Sequence, residues 1–208
     1  IRQAADGLAH AHDKGLIHCD VKPSNLLVNS RGVVKILDLG LARLTGPTQT
    51  ASGDEQVLGT VDFMAPEQRG GHALRPSADV FSLGAVLYQC LVGAPPIRRS
   101  DGGFVLQERA VLQHELHAVA DRDMAAVCLK CLEVEPEARY RKAAELSADL
   151  GRWLDGIPVK ARHASWAERC LRSCQRNRWA TAIFGTALII VFAALLMVSY
   201  LSVSRGVA

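Results

Sequence analysis

Two short stretches of this 208-residue chain concentrate groups that can handle charge. The first is His18-Cys19-Asp20-Val21-Lys22-Pro23-Ser24-Asn25; the second, opening thirteen residues after Asn25, is Asp38-Leu39-Gly40. A carboxylate can take up a proton, and an ammonium can offset negative charge that builds in a transition state. Amide and carboxylate oxygens suit a hard cation such as magnesium. Together these are what phosphoryl transfer asks of a protein, because that reaction leaves it positioning and charge neutralisation rather than covalent work. A lone Asp or Asn in a loop is more often a turn former, so the weight lies in the joint spacing.

Two elements must hold these groups. Ile1, Ala4, Ala5, Leu8, Ala11 and His12 fall on one face of a helix that Gly15 would end. Leu26–Val28 and residues 33–37 are short apolar or β-branched runs separated by Asn29-Ser30-Arg31-Gly32, which predicts a hairpin with turn residues at its tip. Such a hairpin sets Asn25 and Asp38 at its two open ends, far apart in sequence and adjacent across the ladder. Further on, Pro76–Val92, 121–133 and 141–154 read as three more helices. Ser77 or Arg75-Pro76 starts the first of these, and Asp121 caps the second. Residues 93–103, with Pro95-Pro96 and Asp101-Gly102-Gly103, read as a loop rich in helix breakers.

Downstream stand Gly59-Thr60, Met64-Ala65-Pro66-Glu67-Gln68, Asp79-Val80-Phe81-Ser82-Leu83-Gly84 and Pro136-Glu137-Ala138-Arg139-Tyr140. In this order and spacing the whole set resembles the C-terminal lobe of protein kinases over residues 1–154. The resemblance implies an α+β fold, a mostly helical lobe with a small catalytic-loop hairpin. It implies Asp20 as the base that meets the substrate hydroxyl, Lys22 on the γ-phosphate of ATP, and Thr60 positioning both. Asn25 and Asp38 are implied as ligands of Mg2+, with Mn2+ an alternative, and Leu27 as an apolar floor for the adenine. His18 belongs to the same loop, whose backbone Asp79 would tie down. Glu67 and Arg139 would form a buried ion pair. Lys22 and Thr60 imply serine/threonine rather than tyrosine acceptors in protein substrates.

The sequence also departs from the family pattern. Cys19 stands where these kinases usually carry an Arg that binds a phosphate on the activation segment, and Leu39 replaces a Phe. Nothing before His18 matches a Gly-rich phosphate loop or the strand Lys that grips ATP, so the N-terminal lobe is expected to be absent and the 208 residues alone to be inactive. That gap and Cys19 favour a rival reading, a catalytically inactive docking module. Against it stand Asp20, Lys22, Asn25 and Asp38, a complete lower-lobe set.

Residues 179–204 are 26 in a row without a charge. About 20 apolar residues cross a bilayer's hydrocarbon core as a helix, so this stretch predicts a single transmembrane helix, with residues 205–208 as a short external end. Lys160, Arg162, Arg169, Arg172, Arg176 and Arg178 precede it against Glu168 alone, and only Arg205 follows. The bias places the lobe on the cytoplasmic side of the cell membrane. The chain carries +3 overall; taking away +5 for residues 160–178 and +1 for Arg205 leaves −3 for everything before Lys160. The basic excess is therefore a property of the juxtamembrane segment, residues 155–178, and its partner is expected to be anionic lipid, along residues 160–204, rather than nucleic acid. The order of lobe, basic segment and span, with Met64 to Gln68, resembles bacterial receptor-type kinases. The sequence does not name the oligomeric state.

Cys128 and Cys131 have zinc-like spacing, but their only possible partner pair, Cys170 and Cys174, lies beyond the lobe. They read instead as small side chains packed on a helix, with Cys19 and Cys90 as further core positions. His12 reads as packed or exposed, not as a ligand.

Overall fold

Each turn of the first helix, α1 (Arg2–Asp13), presents an apolar or neutral side chain to the interior: Ala4, Ala5, Leu8 and His12 are buried. The chain leaves it through Gly15 at φ 74°, in the left-handed region that a residue without Cβ enters at no steric cost. These coordinates are a computed structural model that describes residues 1–38, 43–44, 61–69, 74–100 and 103–162, with backbone only at 43, 44, 99 and 100. The described residues belong to a compact unit, Ile1–His163. Thr60, Leu39, Gly40, Cys170, Cys174, the basic run after Arg162 and the expected span at 179–204 lie outside them. Among the described residues no helix is long and apolar enough to cross a membrane.

Three antiparallel two-stranded sheets accompany the helices. Strand β1 (Leu16–Ile17) pairs with β4 (Arg43–Leu44). The expected hairpin forms from β2 (Leu26–Val28) and β3 (Val34–Ile36), in the register Leu26↔Ile36, Leu27↔Lys35, Val28↔Val34. Asn29 builds its tip, because its Oδ1 accepts from the Arg31 and Val33 amides at 3.0 and 2.9 Å. This side chain supplies the turn's hydrogen bonds where the ladder has ended. After α2 (Pro66–Arg69) comes α3 (Pro76–Val92), with Pro at its first position and Gly93, φ 89°, at its end.

Helix α3 is the axis of the lobe. Its residues from Ser77 to Tyr88 are buried without interruption, as expected of a helix enclosed by others on every side. Around it pack α1, α4 (Arg109–Val119), α5 (Arg122–Cys131) and α6 (Ala143–Leu154). Asp121 caps α5 as expected, its Oδ1 accepting from the Asp123 and Met124 amides at 2.8 and 2.9 Å. Helix α6 begins two residues later than its apolar pattern suggested, at Ala143.

Helices α3 and α5 come close together at Gly84. A Cβ added to Gly84 would stand 2.3 Å from the Cβ of Cys131. In an open helix Gly→Ala stabilises by about 1 kcal/mol; here overpacking reverses the sign, and Gly84→Ala should destabilise the chain by about 1–3 kcal/mol. Chemical denaturation of the two proteins side by side reads this directly, and an unchanged or raised midpoint would contradict the contact. Cys128 and Cys131 are buried at this seam, with Cys128 Sγ 3.7 Å from the Gly84 carbonyl. Burial pushes both thiols well above their ordinary range, so they pack as neutral side chains.

Three sequence expectations need correction. Cys90 is exposed, because α3 turns out of the core after Tyr88, and Cys19 is only half-buried. Residues 93–103 are not simply a loop: β5 (Ile97–Ser100) and β6 (Gly103–Leu106) pair there as a hairpin. Helix α4 was not anticipated at all, since Leu112 and Leu116 are its only buried residues. Beyond α6 the chain stays on the lobe: Val159 is buried, and the amides of Lys160 and Ala161 donate to the Asp149 carboxylate at 2.6 and 2.8 Å.

Candidate active site

The loop that carries Asp20 is fixed from below by one buried carboxylate. Asp79, fully buried on α3, accepts from the His18 amide through Oδ2 and from the Cys19 amide through Oδ1, both at 2.8 Å. Cys19 sits at φ 67°, a conformation a non-glycine side chain seldom takes; the two bonds to Asp79 hold it there. His12 completes the anchor, its Nε2 lying 2.8 Å from Asp79 Oδ2. A buried carboxylate without such partners would be costly.

His18 ties the two charged stretches together. Its ring accepts from the Asp20 amide at Nδ1, 3.3 Å away, so Nε2 carries the proton and donates to the Leu37 carbonyl at 2.9 Å. Leu37 in turn donates its amide to the Asn25 carbonyl at 2.8 Å. That bond sets Leu37, the residue before Asp38, opposite Asn25 at the hairpin mouth. Asp38 is exposed and, like Cys19, has a positive φ, 57°.

Around Asp20 the polar groups converge. Asn25, buried, donates from Nδ2 to the Asp20 carbonyl at 2.8 Å and to its Oδ2 at 3.1 Å. Lys22 Nζ lies 2.8 Å from the same Oδ2. The other oxygen, Oδ1, is buried and has no hydrogen-bond partner among the described residues. A buried acceptor left open is unusual, since such groups are nearly always paired. With Nδ2 of Asn25 committed to Asp20, its Oδ1 is the atom left for another ligand. The amide oxygen of Asn25 and the carboxylate of Asp38 are hard donors, a set that fits a magnesium-type cation. Leu27 stands on β2 with 54% of its surface exposed, available as an apolar wall.

The predicted ion pair forms with two bonds: Arg139 Nη1 and Nη2 lie 2.7 and 2.8 Å from Glu67 Oε1 and Oε2. Arg139 also donates to the carbonyls of Ser77, Glu133 and Val134. Sequence reasoning missed two positioning residues. Gln68 bridges from the Ala65 amide, accepted at 2.9 Å, to the Cys19 carbonyl, to which it donates at 2.8 Å. His12 was read as packed or exposed. Its place on the buried face of α1 was the available signal; its partner, 67 residues away, was not.

Comparison with known proteins agrees with this geometry. The family described as Protein kinase domain matches residues 1–149. Serine/threonine-protein kinase PknB of Mycobacterium tuberculosis is 38% identical over 170 residues, covering 77% of this chain and 26% of that protein. Its namesake in Mycobacterium leprae is 36% identical over 165 residues, with the same shares. A probable serine/threonine-protein kinase of Streptomyces coelicolor is 34% identical over 169 residues, 77% of this chain and 24% of that protein. The chain thus spans about a quarter of the length of these curated relatives.

Proposed function

The chain belongs to the protein kinase domain family, and on that footing we propose that it supplies the catalytic loop and metal-holding half of a serine/threonine protein kinase, which moves the γ-phosphoryl group of ATP to Ser and Thr hydroxyls of proteins. The observation that carries the reading is the Asp20 carboxylate. One of its oxygens is held by Lys22 and Asn25, and the other is buried and open.

That asymmetry suits a group that orients a hydroxyl. The held oxygen fixes the rotation of the carboxylate, so the open one points to a single place, and a proton leaving the acceptor hydroxyl would be taken there. Lys22, already beside Asp20, brings positive charge to where the phosphoryl group changes hands. Asn25 and Asp38 would hold Mg2+, or Mn2+, and Leu27 would face the adenine. When bound, the metal neutralises phosphate charge. Thr60 is assigned to positioning Asp20 and Lys22 by family resemblance alone.

Leu27, Val28, Val33 and Leu37 leave apolar side chains exposed on and beside the β2–β3 hairpin. A further lobe that covers ATP would bury it, and the quarter-length match to the relatives leaves room for one. The kinase activity is accordingly proposed for the protein with that lobe. Residues 179–204 are proposed as its single membrane span, with the lobe on the cytoplasmic side, on the strength of their uncharged run and the basic residues before it.

The test is phosphotransfer from γ-labelled ATP by the full-length protein purified from its own cells, followed by identification of the labelled amino acids. Label on Ser or Thr is expected. No label would overturn the proposal and leave the docking-module reading in its place, and label on Tyr alone would overturn the serine/threonine assignment.

A further inference from the structure

Helices α4 and α5 and the segment after α6 line an open cavity of about 550 Å³ that has no part in the site above. Its rim is basic: Arg109 comes from α4, Arg122 and Lys130 from α5, and Lys160 and Arg162 from the closing segment. Ala126 and Leu129 give it an apolar floor.

Three of these cations are held in position. Arg162 Nη2 lies 2.8 Å from the carboxylate of Asp123, which is buried. Arg109 pairs with Glu133, and Lys130 lies 4.5 Å over the ring of Tyr140, a contact that orients its charge without cancelling it. Among the described residues no carboxylate pairs with Arg122 or Lys160. Five cations against Glu133 and Asp123 leave an excess of three positive charges. Residues 1–162 as a whole carry −1, the −3 of residues 1–159 plus Lys160 and Arg162, so this excess is local. A concave wall with an apolar floor concentrates the field of such a cluster, and guanidinium groups match the paired oxygens of a phosphate.

We propose that this cavity is a binding site for a phosphate-class anion. Two sources present that chemistry, a soluble phosphate and the headgroup of an anionic phospholipid. The lipid source alone rests on the membrane reading of residues 179–204; the site does not.

Amine acylation resolves the question residue by residue. The full chain is placed in nanodiscs of phosphatidylcholine, of phosphatidylcholine with added inorganic phosphate, or of phosphatidylcholine mixed with phosphatidylglycerol. Chloride balances the ionic strength throughout. Acylation of Lys130 and Lys160 is followed by peptide mass spectrometry, with Lys14 and Lys35, exposed and outside the cavity, as internal standards. A bound anion should slow Lys130 and Lys160 relative to those standards. In R122E the anion should bind about fivefold or more weakly, so the slowing should disappear at the same anion concentration. Glu at the first position of α5 is favourable to the helix, so this variant keeps the lobe folded. Slowing with phosphatidylglycerol assigns the lipid source; slowing with inorganic phosphate alone assigns a soluble one. No slowing with either, or slowing that persists in R122E, overturns the site. Whether the chain stays with the neutral discs reports separately on the span.

Discussion

Asp20→Asn should lower phosphotransfer by the full-length protein about 10²–10⁴-fold, the range a positioned proton acceptor contributes, with affinity for ATP nearly unchanged. The substitution keeps the shape of the side chain. Its oxygen would turn toward the donors that already hold one side, Lys22 Nζ and Asn25 Nδ2. The amide nitrogen would then occupy the place of the buried, open Oδ1. A donor would stand where the acceptor hydroxyl needs an acceptor. The loop anchor does not involve the Asp20 side chain, since Asp79 binds the backbone of His18 and Cys19, so the fold should survive. Single-turnover rates and nucleotide binding, measured on the same preparation, separate the two effects. Wild-type turnover in the variant would remove Asp20 from the reaction.

The second large effect is on stability. Arg139→Ala should cost about 3–5 kcal/mol, because it leaves a largely buried carboxylate without its partner. Glu67 is only 10% exposed at its side chain and Arg139 not at all. Three carbonyls, of Ser77, Glu133 and Val134, lose a donor in the same step. For a unit of this size the melting temperature should fall by about 10 °C. Glu67→Gln, which keeps an acceptor facing Arg139, should lose less. The pair of Arg75 with Glu137 is a useful contrast: both side chains are more than 60% exposed. Water competes for such charges, so Arg75→Ala should leave the melting temperature where it was. A negligible effect of Arg139→Ala would mean that the buried pair contributes no more than the exposed one.

How much of this could be read from the chain alone depended on the range of the contacts involved. The hairpin that carries Asn25 before its first strand and Asp38 after its second is closed by Asn29 and Gly32, a local turn, and its register follows from short apolar runs. Helices α1, α3 and α5 were legible because Gly15, Pro76, Gly93 and Asp121 mark their ends. Helix α4 lacks such punctuation: Glu108, at its N-cap, makes no side-chain cap bond, and its buried stripe is two leucines. The β5–β6 hairpin was hidden by Arg98 and Arg99, which do not signal a strand; Ile97 of β5 is in the core and Arg98 is exposed. Glu67 with Arg139, and Asp79 with the loop, were expected through the family resemblance and then found. The bridging amide of Gln68 and the contact of His12 with Asp79 depend on side-chain placement across 49 and 67 residues, which no local pattern encodes.

The anchoring of the catalytic loop by α3 has a consequence for the protein while it is being made. His18 and Cys19 leave the ribosome 61 and 60 residues ahead of Asp79. At about 5–20 residues per second, the loop therefore waits several seconds for the carboxylate that holds Cys19 in its left-handed turn. Through that interval the nascent chain displays Asp20 and Lys22 without the support that aims them. Competence for chemistry is thus tied to synthesis having passed α3, and a chain truncated before Asp79 would carry the residues of the loop but not its geometry.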